Sequence, residues 1–410
     1  MITTDGRYLC IGGIDVKSLV ERYGTPLYVY DEDTMLKRLD EISSNVNGLV
    51  YRIYYSMKAN SNPSIIKIFY ERGLGIGTVS PGEIFIALSS GVDPVDIIFS
   101  GNNLSNEDIR YAIDFGVNID VDSHSSLRKL CRIGFKGEIG IRVNPLFGYG
   151  QHRFLVTSGY GAKFGIPINE VYEAVKIAES YKIRIKRLHI HLGSGILSVE
   201  PYLKALEVLA RIASNIESVE ELNIGGGYAV PYRDKDRRFP WQKFRLKLKS
   251  KIDELRINHY KILVEPGRYL VAESGVLLTR ITDIRRVDRE RYIVGTDTGI
   301  NHIIRPALYN AYHKIIVANR VDEKPSIVAD VVGNLCESSD VIGSNRMLPR
   351  VSEGDILAVM NTGAYCYSMA SNYNSRLLPA EILVRKSGKV IIIRKRQSFR
   401  QLIENTEVVR

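Results

Sequence analysis

The feature that most constrains this chain is a series of eight short, β-branched apolar runs between residues 51 and 266, with helix-patterned segments between many of them. The runs are YRIYYSM (51–57), GLGIGTV (73–79), VDIIFS (95–100), VNIDVDS (117–123), EIGIRVN (138–144), IKRLHIH (185–191), VEELNIG (219–225) and YKILVEP (260–266). In NEVYEAVKIAESY (169–181) and EPYLKALEVLARIAS (200–214), apolar residues recur three and four apart, as on a surface helix. Strands alternating with helices build parallel sheets. A doubly wound open sheet competes with a closed (β/α)8 barrel of the TIM type, and the count of eight favours the barrel.

After about residue 275 the pattern changes. VLLTRITDIRRV, RYIVGTD, SIVADVVG, DILAVMN and AEILVRKSGKVIIIRK read as strands, with Lys386-Ser387-Gly388-Lys389 as a hairpin turn. The expected fold class is therefore α/β plus all-β: a barrel over residues 32–275 and a β-sandwich or β-barrel domain over 276–410. LYVYD (27–31) is strand-like and precedes the first barrel repeat, so residues 1–31 are expected to complete the second domain.

Composition narrows the function classes. With 45% apolar and 25% charged residues, the chain can bury a sizeable core. Its net charge of +10 raises the question of nucleic acid, but the basic residues are spread along the chain and no nucleic-acid motif appears. A solvated basic surface that tolerates small anionic ligands is the better reading. The cluster Arg233-Asp234-Lys235-Asp236-Arg237-Arg238 mixes signs and reads as a polar loop. No apolar stretch approaches a membrane span and MITTDGRYLC carries no secretory pattern, so a cytoplasmic location is expected. Cys10, Cys131, Cys336 and Cys366 have neither disulfide-framework nor zinc spacing, and no metal is expected.

Chemistry-bearing residues fall at the C-terminal ends of the expected barrel strands, the face on which such barrels assemble active sites. Lys58 ends the first. His189 and His191 end the sixth, ahead of Gly193-Ser194-Gly195. Gly225, Gly226 and Gly227 follow the seventh, and Glu265, Pro266, Gly267 and Arg268 follow the eighth. Consecutive glycines let backbone N–H groups approach a phosphate, and Arg268 adds charge-assisted bonds. A lysine whose amine is kept neutral can form a Schiff base, and a carboxylate such as Glu265 can keep a pyridine nitrogen protonated. Together these features point to pyridoxal 5'-phosphate, with His191 lying flat on its ring. Taken singly they are weak. A lone lysine is usually solvated, GGG is usually a turn, and the His189/His191 pair is also a pattern for metal ligands.

These residues lie in YSMKANSN (55–62), VSPGE (79–83), RVNP (142–145), KFGI (163–166), HIHLGS (189–194), NIGGGY (223–228) and EPGR (265–268). Further along come DTGINHIIRPALYNAYH (297–313), GNLCESSDVIG (333–343), RMLP (346–349) and GAYCYSMASNYNSRLLPAEIL (363–383). From about residue 24 to 385 the chain resembles the diaminopimelate decarboxylases, within the alanine-racemase-like barrel fold that also holds ornithine and arginine decarboxylases.

The resemblance implies roles. Lys58 would be the Schiff-base lysine, and His191 would stack on the ring. Ser194, Gly227, the backbone around Gly267, and Arg268 would hold the phosphate, with Tyr365 nearby. Glu265 would face the pyridine nitrogen. Arg305 and Tyr309 would bind a substrate carboxylate, with Arg268 and Tyr365 also in reach. Cys336, as proton donor, and Glu337 would complete the site from the other subunit of a homodimer. The implied reaction converts meso-2,6-diaminopimelate to L-lysine and carbon dioxide. The alternative is decarboxylation of a related amino acid, of ornithine, arginine or carboxynorspermidine type. The substrate is in either case a small amino acid, with no nucleic-acid or membrane partner. Two positions depart from the family pattern. Gly77 stands where Asp is usual, which leaves open weaker contacts near the cofactor or replacement by a nearby acid. Gly333-Asn334 stands for the usual Gly-Pro, a small change in loop stiffness.

Overall fold

The computed structural model describes residues 1–150 and 156–407. The chain divides into two compact units, one of residues 39–230 and 237–269, the other of residues 1–38, 231–236 and 270–410.

The first unit is a closed parallel barrel. Its strands are β1 (Arg52–Ser56), β2 (Gly75–Thr78), β3 (Ile97–Phe99), β4 (Asn118–Val121), β5 (Glu138–Asn144), β6 (Arg184–His189), β7 (Glu221–Asn223) and β8 (Lys261–Val264). Each pairs in parallel with the next, and β8 pairs with β1 through Leu263–Arg52 and Val264–Ile53, closing the ring. A two-residue strand, Ile166–Pro167, lies beside the end of β5. Closure explains why the strands read as near-continuous apolar runs: one face looks into the barrel and the other is covered by helices.

The helices begin where local chemistry says they should. Asn62, Ser80 and Ser123 accept from backbone N–H groups at the starts of Pro63–Tyr70, Pro81–Ser89 and His124–Ile133. Ser105 and Asp108 form a reciprocal capping box for Asn106–Asp114. Tyr202, from the helix before β7, packs with Tyr228, Phe239, Trp241 and Phe244, which follow β7, into one aromatic cluster, with Tyr202 and Tyr228 stacked at 4.8 Å. The hydroxyls of Tyr202 and Tyr228 donate to the carbonyls of Gly226 (3.2 Å) and Gly225 (3.4 Å), so this packing also fixes the glycine loop.

The second unit is a mixed β-sheet, not a purely antiparallel one. Strands Val341–Leu348, Ile327–Val332, Arg291–Thr296, Gly275–Arg286, Leu27–Asp31, Ala380–Val384 and Val390–Arg394 lie side by side in that order, and Ile315–Val317 joins through Ile356–Met360. Arg291–Thr296 runs parallel to Ile327–Val332, and Leu27–Asp31 parallel to Ala380–Val384. The long strand Gly275–Arg286 pairs with Leu27–Asp31 and Ile356–Met360 along its first half. From Ile281 onward it pairs with Arg291–Thr296, with a register shift between Ile281 and Asp283. Ala380–Val384 and Val390–Arg394 form the expected hairpin, with Gly388 at φ +80° in its turn. Leu27, Val29, Val276, Leu278, Ala358, Ile382 and Val384 build the core, which helix Val16–Tyr23 covers with Val16, Leu19 and Val20.

The division into compact units falls at residues 39 and 270, and it assigns Pro231–Asp236 to the β unit. That segment is held by long-range contacts that local sequence does not display. Lys314 pairs with Asp234 at 2.8 Å, the Asn361 amide donates to the Pro231 carbonyl, and Arg233 lies over the ring of Tyr312.

Candidate active site

In the barrel, Lys58 follows β1 in a short 3-10 turn, Met57–Ala59. It lines a cavity with Ser56, Gly77, Thr78, Val79, Ile98, Ser100, Arg142, His189, His191 and Glu265. No ion pair from the described residues reaches its amine. Burial pushes the Lys58 pKa down and the Arg142 guanidinium adds to the effect, outweighing the opposing pull of Glu265 and Glu83. An amine that gives up its proton this readily is poised as a nucleophile.

Nδ1 of His191 accepts the Gly226 N–H at 3.1 Å. Burial, then Lys58 and Arg142, hold this imidazole well below its ordinary pKa. It is therefore a neutral ring with its proton on Nε2. The glycine run is required by crowding. At Gly225 (φ +71°) a Cβ would come within 2.9 Å of His191 Nδ1, at Gly226 it would meet the Glu265 carbonyl, and at Gly227 the Gly193 carbonyl. Gly267 is similarly tight, its Cβ position 2.9 Å from the Ser56 carbonyl. Pro266 sends its carbonyl to the Ser56 N–H. Arg268 donates through Nε and Nη2 to Ser194 Oγ at 3.2 and 3.1 Å, so the residues expected to hold a phosphate are already together.

Glu265 accepts the Asn223 amide at 2.6 Å. Burial raises its pKa, but His189, His191 and Asn223 outweigh this and hold it far below the ordinary carboxylate range. A Cβ at Gly77 would fit without crowding, its nearest neighbours lying at ordinary van der Waals distance, 3.8 Å. The carboxylate in the vicinity is Glu83, which accepts the Val79 N–H at 2.8 Å and whose pKa is raised by burial against the pull of Lys58.

The remaining expected residues belong to the β unit. Arg305 and Tyr309 bound the short helix Arg305–Tyr309. Arg305 is buried, lies over the Tyr232 ring at 4.6 Å and donates through Nη1 to His313 Nε2 at 2.6 Å. His313 in turn donates through Nδ1 to the Met360 carbonyl, which fixes its tautomer. No carboxylate of the described residues pairs with Arg305, and its Nε is buried without a partner. Tyr365 is half-buried in a left-handed turn at φ +57°. Cys336 and Glu337 sit in an exposed loop, where the Cys336 N–H donates to Asn374 Oδ1 at 2.7 Å.

The sequence reading missed Arg142, Asn223, Glu83 and Asp120. Arg142 and Asn223 stand inside motifs already noted, RVNP and NIGGGY, at strand ends. Asp120 sits in β4, and nothing in the run VNIDVDS marks it as a partner of residues on other strands.

Comparison with known proteins decides the family. The profile for pyridoxal-dependent decarboxylases, pyridoxal binding domain, matches residues 32–272. A diaminopimelate decarboxylase of Methanothermobacter thermautotrophicus is 40% identical, over 98% of this chain and 96% of that one. The chain belongs to the diaminopimelate decarboxylase family. The crystal structure of the Methanocaldococcus jannaschii diaminopimelate decarboxylase in complex with L-lysine has a TM-score of 0.91 at 30% identity, covering 100% of this chain and 98% of that one. The Helicobacter pylori diaminopimelate decarboxylase, also in complex with L-lysine, has a TM-score of 0.88 at 32% identity, covering 95% and 98%.

The cofactor of a diaminopimelate decarboxylase is pyridoxal phosphate, and the barrel residues fit it. Arg268 with Ser194 and the glycine backbone suits the phosphate, Glu265 the pyridine nitrogen, neutral His191 the ring face, and Lys58 the aldehyde carbon. Among the described residues no helix is long and apolar enough to cross a membrane.

Proposed function

We propose that this chain decarboxylates meso-2,6-diaminopimelate to L-lysine and carbon dioxide, as a step of lysine biosynthesis. The observation that carries this reading is Arg305: a buried guanidinium braced by His313, with no carboxylate among the described residues to pair with. A buried charge left unpaired costs several kcal/mol. A substrate with a carboxylate at each end can supply the missing partner and still present the other end for reaction.

Lys58 would hold the cofactor through its amine, which burial and Arg142 keep ready to give up its proton. Bound pyridoxal phosphate supplies the electron sink that takes up the pair left at Cα when the carboxylate departs. Glu265, kept ionised by its neighbours, maintains the pyridine nitrogen in its protonated form. Arg268 and Ser194, with the backbone of Gly225, Gly226, Gly227 and Gly267, would bind the phosphate, and Tyr365 is assigned to the same group. Arg305 and Tyr309 take the distal carboxylate, and Glu337 the distal ammonium. The proton returned to Cα comes from Cys336 Sγ.

Cys336 and Glu337 act in the site of a second copy, so the working form is a homodimer. Their exposure at the tip of a loop suits presentation to another chain. Four free thiols suit a reducing compartment, the cytoplasm.

The test is carbon dioxide release by the purified protein with added cofactor, across meso-diaminopimelate, ornithine, arginine and lysine. A preference for meso-diaminopimelate is expected. A preference for any of the other three would replace this reading with that of a decarboxylase for a different amino acid.

A further inference from the structure

His189 has no part in the roles above, yet it is among the most enclosed polar groups of the barrel, 2% exposed. Its two ring nitrogens face two carboxylates. Nδ1 lies 3.2 Å from Asp120 Oδ2, and Nε2 lies 3.4 Å from Glu265 Oε2. Neither contact is a well-aligned hydrogen bond, so the interaction is chiefly charge on charge. A neutral imidazole would turn a lone pair toward one of the two anions. Only the doubly protonated ring satisfies both.

The array continues below. Asp120 Oδ1 accepts from Arg187 Nη1 at 2.8 Å, and Arg187 also holds Glu221, through Nη2 at 2.7 Å. Arg187 and His189 alternate on β6 and share its inward face. Asp120 comes from β4 and Glu221 from β7, while Glu265 follows β8. Two carboxylates thus meet one guanidinium while the third faces His189; Asp120, Arg187 and His189 are fully enclosed, and Glu221 and Glu265 nearly so. Gly140 on β5 makes room for this, because a Cβ there would overlap the Asp120 carboxylate.

We propose that His189 is a positioning residue: as an imidazolium clamped between Asp120 and Glu265, it holds the Glu265 carboxylate in place for the pyridine nitrogen. This rests on the reading of Glu265 given above. The imidazolium brings the cations to two, leaving one negative charge, at the end nearest the cofactor. A neutral His189 would leave two, and the cluster would repel itself in a low-dielectric interior. Burial opposes the charge on His189, but Glu265 and Asp120 outweigh it. The other charged groups lining the cavity, Lys58 and Arg142, are cationic and act in the opposite sense. His191, two residues on, faces Gly226 instead and stays neutral, so the two histidines of HIH carry different protonation states for different tasks.

The test is NMR of the full-length protein labelled with 15N-histidine, with and without pyridoxal phosphate, the His189 signals being assigned by their loss in His189→Gln. Wild type should show both His189 nitrogens protonated at pH 7.5, and Asp120→Asn should move its titration to lower pH. A singly protonated His189 at that pH would overturn the proposal. In folded His189→Gln, cofactor affinity should fall by about tenfold or more, since a charge-assisted contact is lost. Unchanged affinity would equally overturn it. If instead wild type bound no cofactor at all, the reading of Lys58 and Glu265 would fail while the NMR result still stood by itself.

Discussion

The backbone N–H of Gly226 and Nδ1 of His191 are hydrogen-bonded at 3.1 Å, and this single contact decides which face and which proton the imidazole offers. The ring is held from its Nδ1 side by a loop that is itself pinned by Tyr202 and Tyr228. Its orientation is set before any ligand arrives.

His191→Phe keeps a flat ring and removes the acceptor. The Gly226 N–H is then left unsatisfied in a part-buried site, which costs about 1–3 kcal/mol. Urea unfolding should show that loss, while the cofactor still binds with reduced affinity. Stability equal to wild type would mean that the contact contributes nothing.

Lys58→Ala should abolish the visible absorbance that the protein acquires with pyridoxal phosphate. In wild type, borohydride reduction followed by peptide mass spectrometry should find the cofactor on Lys58. Label on any other lysine would remove Lys58 from its role.

Mixed dimers test the shared site. Neither Lys58→Ala nor Cys336→Ala should be active alone. Chains exchanged between the two should recover part of the activity, because one of the two composite sites in the mixed dimer carries both residues. Absence of recovery, with exchange demonstrated, would place each site within one chain.

Glu337→Gln keeps the shape of the side chain and removes its charge. We expect kcat/KM for meso-diaminopimelate to fall on the order of 100-fold, with the cofactor spectrum unchanged. An unaltered kcat/KM would detach Glu337 from substrate recognition.

His302, buried in the β unit, gives a pH prediction. Its Nε2–H donates to the Leu377 carbonyl and its Nδ1 accepts from Thr298, so it is built to be neutral. Burial lowers its pKa to about 4, against the pull of the Leu377 carbonyl and Asp297 and with help from Arg396 and Arg376. The unfolded chain takes up a proton near pH 6.5, and the native state does so only near pH 4. Stability from this group is therefore lost as pH falls through that window, by roughly 3 kcal/mol at most. Thermal unfolding from pH 7 to 4 should show a steeper decline in wild type than in His302→Gln. Parallel curves would show that His302 does not govern the decline.

The eight barrel strands were legible because each is a short apolar run, with amphipathic segments such as 169–181 and 200–214 between them, and these signals are local. Lys58, the glycine run and Arg268 were legible because they fall at strand ends. Contacts that join distant positions were not. The Lys314–Asp234 pair and the Arg187–Asp120 pair tie residues far apart in sequence, and nothing beside either partner announces the other. The polar loop containing Asp234 was accordingly read as a bystander, and Asp120 as an ordinary strand residue. The functions of Cys336 and Glu337 came from resemblance alone, since a cysteine beside a glutamate in an exposed loop has no local signature of chemistry.

The central place of Leu27–Asp31 in its sheet has a consequence for how the chain is made. Its neighbours on either side, Gly275–Arg286 and Ala380–Val384, are both synthesised long after it. At a ribosomal rate of about 5–20 residues per second, the strand waits on the order of ten seconds or more with both edges open. Unpaired apolar edges invite pairing with other chains. The residues translated in that interval include the whole barrel, whose ring is closed by its own eight strands. Nascent chains of this protein should therefore depend on chaperones through the N-terminal strand rather than through the barrel.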